Sequence, residues 1–242
     1  MTDRDHASHA PVRIALVGAT GLIGRRCIAI SSESDAARIV GIARREMELP
    51  AGSRCEMFVA QTDKWGEVLE AVQPPTLICA LGTTWKKAGR DEEAFRAVDQ
   101  RLVVEVAQAA HDAKVSNLVL ISAAGANAAS KTFYARVKGE VEREVSNIGF
   151  KRLDILRPGL LKGPRNNDRR IAERLGIVFA PLIEPLLPAK YAGLHSIDAD
   201  LVAQAALGLA LRRAAGKFVH DNDAMKRAAR EWRNRVEPAQ GD

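Results

Sequence analysis

The sequence predicts an α/β protein with a doubly wound parallel sheet and a small C-terminal cap. Short apolar segments typical of buried strands alternate with longer amphipathic segments typical of helices from residue 12 to residue 159. Strands connected in this way run parallel through right-handed crossovers, which places helices on both faces of the sheet. A glycine-rich turn, GATGLIG, directly follows the first strand, as is common where such sheets bind phosphate groups.

Each predicted element follows from local composition. The most periodic segment is the long helix predicted from Asp91 to Ala113, whose apolar residues form one face. Asp63 is a candidate N-cap for the helix in DKWGEVLEAV, and Thr132 or Ser130 for the helix in FYARVKGEVEREVSNIG. Further helices are predicted at residues 22–32, at residues 198–215 and at the C-terminus. In chain order, the predicted strands are PVRIALV, RIVGIAR, RCEMFVAQ, TLICALG, NLVLISA, KRLDILRPG and KFVH.

The domain organisation is expected to be simple. Residues 11–242 are predicted to form a single domain, preceded by a polar lead-in at residues 1–10. A chain of this length can bury a substantial core. The regular alternation ends after Gly159, and the proline-rich segment 160–197 is predicted to form an irregular region on the substrate side of the sheet.

Charge and composition narrow the range of partners. The formal net charge of +6 is spread over several predicted helices, so a nucleic-acid ligand is not expected. No apolar run reaches the roughly 18 residues of a membrane-spanning helix, and the N-terminus lacks the apolar core of a secretory signal. The three cysteines lie in or beside apolar segments without metal-ligand spacing, which predicts buried thiols and no metal site. The sequence therefore predicts a cytoplasmic protein without nucleic-acid or membrane partners.

The glycine turn predicts a dinucleotide site. Gly18 permits the tight turn, Gly21 lets the backbone approach a pyrophosphate, and Gly24 allows close packing of the helix on the strand. The free N–H groups at the helix start favour an anion, although the same glycines would also suit a purely structural loop. The end of the fourth strand is expected to pass close to the same cofactor. The predicted contacts in these two segments also include Thr20, Leu22, Ile23, Ala80, Leu81 and Gly82.

The end of the second strand indicates which dinucleotide is preferred. An NAD site typically has an Asp or Glu there, whereas this chain has Arg44 and Arg45. Arginine can hold a 2′-phosphate with paired hydrogen bonds, so NADP (NADPH) is predicted over NAD. Glu46 leaves a minor role for NAD open, and both arginines could instead be solvated surface charges. Asp63, after the third strand, could reach the adenine or could cap a helix.

Tyr134 and Lys138 are four residues apart in a predicted helix and therefore share a face. A nearby ammonium favours the phenolate, which would bring the pKa of Tyr134 toward the range of proton transfer. Ser122 is expected at the carboxyl end of the fifth strand, where ligands bind in such sheets, and could polarise a carbonyl. A packed tyrosine beside an exposed lysine is the alternative. The ordered combination of glycine turn, arginine pair, serine and Tyr-x-x-x-Lys favours catalysis.

These motifs give the chain a family resemblance. From about Val12 to Val219 it resembles the atypical short-chain dehydrogenase/reductases, and more narrowly the Tat-interacting oxidoreductase-like subfamily. The likeness is carried by GATGLIG, CALGTTWKKAG, VLISAAGANAASKTFYARVKGEVE and LDILRPGLLKGPR. It implies a Rossmann fold and a hydrogen bond from Lys138 to the nicotinamide ribose. The Asn that the family often has on the long helix has no secure counterpart in this chain, where Asp99 lies in about the same region. The implied catalytic residues are Ser122, Tyr134 and Lys138, and the implied neighbours of the nicotinamide are Arg157, Pro158 and Gly159.

The resulting hypothesis is an NADP-dependent oxidoreductase that acts on a small-molecule carbonyl or alcohol substrate. Trp85, Lys86 and Lys87 could line the pocket mouth, and together with Lys162 and Arg165 would suit an anionic or polar substrate. Two alternatives remain open: an NADPH-sensing binding protein without turnover, and a nucleotide-sugar epimerase or dehydratase. Assembly into a homo-oligomer is also left open, because the long helix and the apolar C-terminal segment could each form a subunit interface.

Overall fold

The computed structural model describes residues 10–50, 52–162 and 196–236. Its central element is a seven-stranded sheet in the order β3-β2-β1-β4-β5-β6-β9. All of its strand pairs are parallel, which confirms the predicted doubly wound α/β fold. The strands of this sheet are β1 (Val12–Val17), β2 (Ala37–Ala43), β3 (Glu56–Val59), β4 (Thr76–Cys79), β5 (Asn117–Ile121), β6 (Arg152–Leu156) and β9 (Gly216–His220).

Helices cover both faces of the sheet. One core layer packs α1, α6 and α7 against side chains such as Leu16 and Ile78. The other packs α2, α4 and α5 against Val17 and Leu77, because successive side chains of a strand point to opposite faces. The helices are α1 (Leu22–Ser32), α2 (Trp65–Val72), α3 (Glu92–Arg96), α4 (Leu102–Asp112), α5 (Phe133–Ser146), α6 (Ala199–Ala210) and α7 (Asn222–Val236).

The strand order reverses between β1 and β4. Val17 at the end of β1 pairs with Ile42 of β2 on one side and with Cys79 of β4 on the other. The chain winds outward from β1 to β3 and then crosses back to β4, so the connections on the two sides leave in opposite directions. Ligands bind at such a switch point, beyond the carboxyl ends of the strands. The loops after β1, β4 and β5 meet there.

Several boundaries differ from the sequence prediction. Asp63 does not cap α2: it lies in a 3₁₀ turn, Thr62–Lys64, that precedes the helix. Thr132 occupies the N-cap position of α5 without a side-chain cap hydrogen bond. The long helix predicted from Asp91 is interrupted by a π-helical turn, Ala97–Arg101, between α3 and α4. Asp91 does cap α3, because its Oδ1 accepts a 2.6 Å hydrogen bond from the Ala94 N–H.

Most of the predicted irregular region, including Arg165, lies outside the described residues. Its two ends form a short parallel pair, β7 (Leu161–Lys162) with β8 (Ile197–Asp198). Across the described segments, no helix is long and apolar enough to cross a membrane. Those segments also contain no group of three or more His, Cys, Asp or Glu residues that could hold a metal ion.

Candidate active site

The glycine turn is fixed by close backbone contacts. Gly18 has φ +83°, and a Cβ there would lie 2.3 Å from the Ala80 carbonyl oxygen. A Cβ on Gly24 would lie 2.3 Å from the Gly18 carbonyl oxygen, so both positions require glycine for packing alone. Gly21 is less restricted, since its added Cβ would meet the nearest atom, Gly18 O, at 3.2 Å. The turn thus holds the start of α1 against the end of β4.

The start of α1 is suited to an anion. Gly21 occupies its N-cap position and offers no side chain to the first N–H groups. The first turn contains no acidic residue. Backbone N–H groups and the positive end of the helix dipole therefore face the switch point without a competing carboxylate. This geometry fits a pyrophosphate, with Thr20, Leu22 and Ile23 in the turn that would surround it.

The residues predicted to select the nucleotide lie at the same edge. Arg44 and Arg45 follow β2 directly, beside β1, and are exposed. Neither makes an ion pair within the described segments, so both are available to a ligand phosphate. Asp63 is exposed in the turn after β3. Ala80, Leu81 and Gly82 continue β4 toward the glycine turn, and Ala80 N donates to Val17 O at 3.0 Å.

A buried ion pair lies next to Tyr134. Lys138 Nζ is 2.7 Å from Asp99 Oδ1, and the two side chains are 8% and 1% exposed. The π-helical turn carries Asp99, whose Oδ2 also accepts a 2.6 Å hydrogen bond from the Thr83 N–H. Lys138 Nζ lies 6.0 Å from the centroid of the Tyr134 ring. The ammonium and the carboxylate therefore form a buried pair, and the ring of Tyr134 lies close to it.

The net electrostatic effect on Tyr134 is opposite to the sequence expectation. Burial raises the pKa of its phenol, the Lys138 ammonium lowers it, and the Asp99 carboxylate raises it again, so that the pKa lies above its usual value. Burial lowers the pKa of Lys138, but Asp99 and Tyr134 raise it more strongly, so the amine stays charged. The prediction of a lowered Tyr134 pKa considered Lys138 alone and left out the burial of the phenol, which is the main cause of the increase, and the smaller effect of Asp99.

Ser122 is held by a carboxylate that the sequence interpretation missed. Its Oγ lies 2.5 Å from Glu142 Oε1 and donates to it, since an ionised carboxylate only accepts. Arg157 binds the same carboxylate, with Nη2 2.5 Å from Oε2 and Nε 3.0 Å from Oε1. Glu142 is 6% exposed and lies four residues after Lys138 on α5. That spacing was a signal, because an acidic residue on the same face as Tyr134 points into the same region.

The RPG segment after β6 is held in place by hydrogen bonds. Arg157 directs its guanidinium to Glu142, as described above. The Pro158 carbonyl accepts a 2.8 Å hydrogen bond from Ala124 N, and Gly159 N donates to Asn222 Oδ1 at 3.1 Å. The first bond ties the loop after β6 to the loop after β5, and the second ties it to the start of α7. The predicted contact of these residues with a nicotinamide remains a prediction.

Comparison with known proteins gives the family relationship. The HIM1 family model matches residues 58–182. The mitochondrial protein fmp52 of Aspergillus fumigatus is 37% identical over 82% of this chain and 87% of its own length. The mitochondrial protein FMP52 of Saccharomyces cerevisiae is 35% identical over 64% of this chain and 68% of its own length. These relatives are named as mitochondrial, so the cytoplasmic location predicted from the sequence is wrong.

Solved structures agree on the fold. A putative NAD-dependent epimerase/dehydratase from Bacillus halodurans aligns over 91% of this chain and 99% of its own, with a TM-score of 0.65 and 16% identity. UDP-glucuronic acid 4-epimerase from Bacillus cereus, solved with NAD, aligns over 87% of this chain and 78% of its own, with a TM-score of 0.62 and 16% identity. At this identity the likeness shows the Rossmann fold. The narrower resemblance to the Tat-interacting oxidoreductase-like subfamily stays a prediction.

Proposed function

The chain belongs to the HIM1 family, and from the geometry of its cleft we propose that it is a nicotinamide-dependent oxidoreductase that prefers NADP. The substrate is a carbonyl compound or the corresponding alcohol. The observation that carries the proposal is the buried pair of Lys138 and Asp99, with Tyr134 close to it, beside the glycine turn at the switch point of the sheet. A buried lysine, a carboxylate and a phenol at the edge where such sheets bind ligands support a catalytic role.

The residues for the cofactor fit a dinucleotide. The open N-terminus of α1 would hold the pyrophosphate, and Ala80, Leu81 and Gly82 would border the adenosine side. Arg44 and Arg45 would bind a 2′-phosphate, which NAD lacks. The similar structures solved with NAD support nicotinamide dinucleotide chemistry in general, and the preference for NADP rests on these two arginines alone.

The side chains of the cleft would control the proton. The bound nicotinamide supplies or accepts the hydride. Tyr134, whose pKa lies above its usual value, keeps its proton at neutral pH and would donate it to the substrate oxygen during carbonyl reduction. Lys138 would stabilise the tyrosinate that remains and would hydrogen-bond the ribose, while Ser122 would position the substrate oxygen.

Calorimetric titration tests this proposal directly. NADPH and NADH are titrated into the wild-type protein and into the Arg44→Ala/Arg45→Ala variant. We expect tighter binding of NADPH in the wild type and loss of that preference in the variant. Equal binding of both nucleotides by the wild type would refute the NADP preference, and binding of neither would refute the cofactor site.

A second function, an NADPH-dependent binding protein without turnover, is favoured by one observation. The single proton of Ser122 is donated to Glu142, and it could polarise a substrate carbonyl only after leaving that carboxylate. Stopped-flow absorbance at 340 nm distinguishes the two functions. Oxidation of bound NADPH by any member of a carbonyl panel, lost in Tyr134→Phe, supports the enzyme. An inert complex that captures a partner only with NADPH present supports the binding protein.

A further inference from the structure

We propose that the site binds a carbonyl compound that carries both an aromatic ring and an acidic group. This inference names the substrate class and rests on the proposed function. It depends on a set of rings next to Tyr134, formed by Trp85, Phe95 and Phe133, which we call the aromatic platform. The chain is only 5% aromatic, so this local concentration is unusual for it.

The rings of the platform contact one another and Tyr134. The centroids of Trp85 and Phe133 are 5.4 Å apart, those of Phe95 and Phe133 5.7 Å, and those of Phe95 and Tyr134 5.8 Å. Phe95 and Phe133 form an edge-to-face pair at 62°, and the other two pairs are tilted at 58° and 59°. None of the three is a face-to-face sandwich, the arrangement that aromatic pairs disfavour. Phe95 is fully buried and anchors the set, whereas Trp85 and Phe133 are partly exposed. The platform therefore offers fixed aromatic surface beside the proposed proton donor.

The loop that carries Trp85 has an unusual backbone. Gly89 and Arg90 both have positive φ, +69° and +61°, and Arg90 N donates a 2.9 Å hydrogen bond to Trp85 O. A non-glycine residue in this conformation is strained and persists only where the surrounding structure compensates. The backbone of Trp85 is therefore held at the start of a hydrogen-bonded turn that closes at Arg90.

Positive charge next to the platform is not fully neutralised. Arg96 and Arg136 both stack near Phe133, at 5.4 Å and 5.8 Å from its centroid. Arg96 is paired with Glu140 at 2.6 Å. Arg136 donates only to the carbonyls of Ser130 and Lys131 and has no ion pair in the described segments. Its guanidinium is therefore the group that a ligand carboxylate would meet beside the ring.

A fluorescence titration tests the substrate class. Of the chain's three tryptophans, Trp65 and Trp232 are 3% and 1% exposed, so Trp85 is the one that a ligand can contact. The probe is 4-acetylbenzoate, added with and without saturating NADP⁺. We expect saturable quenching that disappears in Trp85→Phe. Acetophenone lacks the acid, and 4-acetylcyclohexanecarboxylate has a saturated ring in place of the aromatic one. Each should bind about tenfold more weakly.

Matched variants locate the two contacts. Arg136→Gln should weaken 4-acetylbenzoate about tenfold and leave acetophenone unchanged, while Arg143→Gln, an exposed change on the same helix, should affect neither. Unsaturable quenching, or equal affinity for 4-acetylcyclohexanecarboxylate, would overturn the inference. Failure to bind NADP⁺ in calorimetry would instead refute the proposed function. In that case, saturable quenching without nucleotide would still support the aromatic site, and its absence would refute it.

Discussion

Replacing Asp99 by Asn should lower the pKa of Tyr134. The carboxylate raises that pKa, and the Lys138 ammonium lowers it. Asparagine keeps the size of the side chain and removes the charge. The substitution lowers the pKa of Tyr134 in two ways. It removes the negative charge of the carboxylate, and it leaves the Lys138 ammonium to act on the phenol without a neutralising partner.

The distances give the size of the effect. Asp99 Oδ1 is 2.7 Å from Lys138 Nζ, which is 6.0 Å from the Tyr134 centroid, so the carboxylate lies within about 9 Å of the ring. Coulomb's law with an effective dielectric constant of about 20 gives about 2 kcal/mol at that separation. Loss of an interaction of this size should lower the pKa of Tyr134 enough for an alkaline titration to resolve.

Tyrosinate absorbance at 295 nm measures this change without a substrate. The alkaline titration of each protein is corrected with the matching Tyr134→Phe background, because the chain has a second tyrosine. Asp112→Asn, an exposed Asp-to-Asn change at the end of α4, serves as the control and should leave the Tyr134 midpoint unchanged. An unchanged or higher midpoint in Asp99→Asn, with the fold intact by circular dichroism, would refute the electrostatic coupling.

Three further predictions concern stability and burial. A positive φ alone should make an alanine substitution cost about 1–2 kcal/mol of unfolding free energy, and Gly52→Ala, at φ +73° in open space, measures that cost. Gly18→Ala should cost more, because its Cβ would also meet the Ala80 backbone. Equal losses of stability in chemical denaturation would argue against that contact. Glu142→Ala should lower the free energy of unfolding by about 2 kcal/mol, because it leaves Ser122 and Arg157 without their acceptor. The control Glu231→Ala removes an exposed ion pair and should lower it by less than about 1 kcal/mol. Burial raises the pKa of the Cys55 thiol to about 11. Cys55 is half-buried, whereas Cys27 and Cys79 are buried. Native protein at pH 8 should therefore react slowly with Ellman's reagent, and a fast-reacting thiol would contradict the raised pKa.

Local sequence signals were sufficient for the sheet and the glycine turn. A buried strand that ends in Gly18 and continues into an apolar helix has few alternative structures, because the glycine is required by both φ and packing. Tyr134 and Lys138 were also recognisable from a local signal, because their four-residue spacing places them on the same face of a helix.

The partners of those residues were not predictable from local signals. Asp99, which pairs with Lys138, lies in a π-helical turn that interrupts the predicted continuous helix. Nothing in the spacing of the apolar residues of that helix indicates the interruption. The contact between Glu142 and Arg157 depends on how α5 lies across the end of β6, which is a property of the packed sheet. The sequence predicted which face of α5 carries Tyr134 and Lys138, but not that Asp99 and Arg157 from other elements pack against that helix.

Those opposing charges determine how the cleft can meet its ligands. Along α5, Lys138 is neutralised by Asp99, and Glu142 is neutralised by Arg157, so the two buried charges of the helix are balanced by partners from other elements. Lys138 therefore contributes little net attraction for a phosphate before a ligand displaces Asp99. The charge of a dinucleotide must be met mainly by the start of α1 and by Arg44 and Arg45. This division predicts that salt will weaken NADPH binding strongly in the wild type and only slightly in Arg44→Ala/Arg45→Ala, because exposed charges are screened far more than backbone N–H groups.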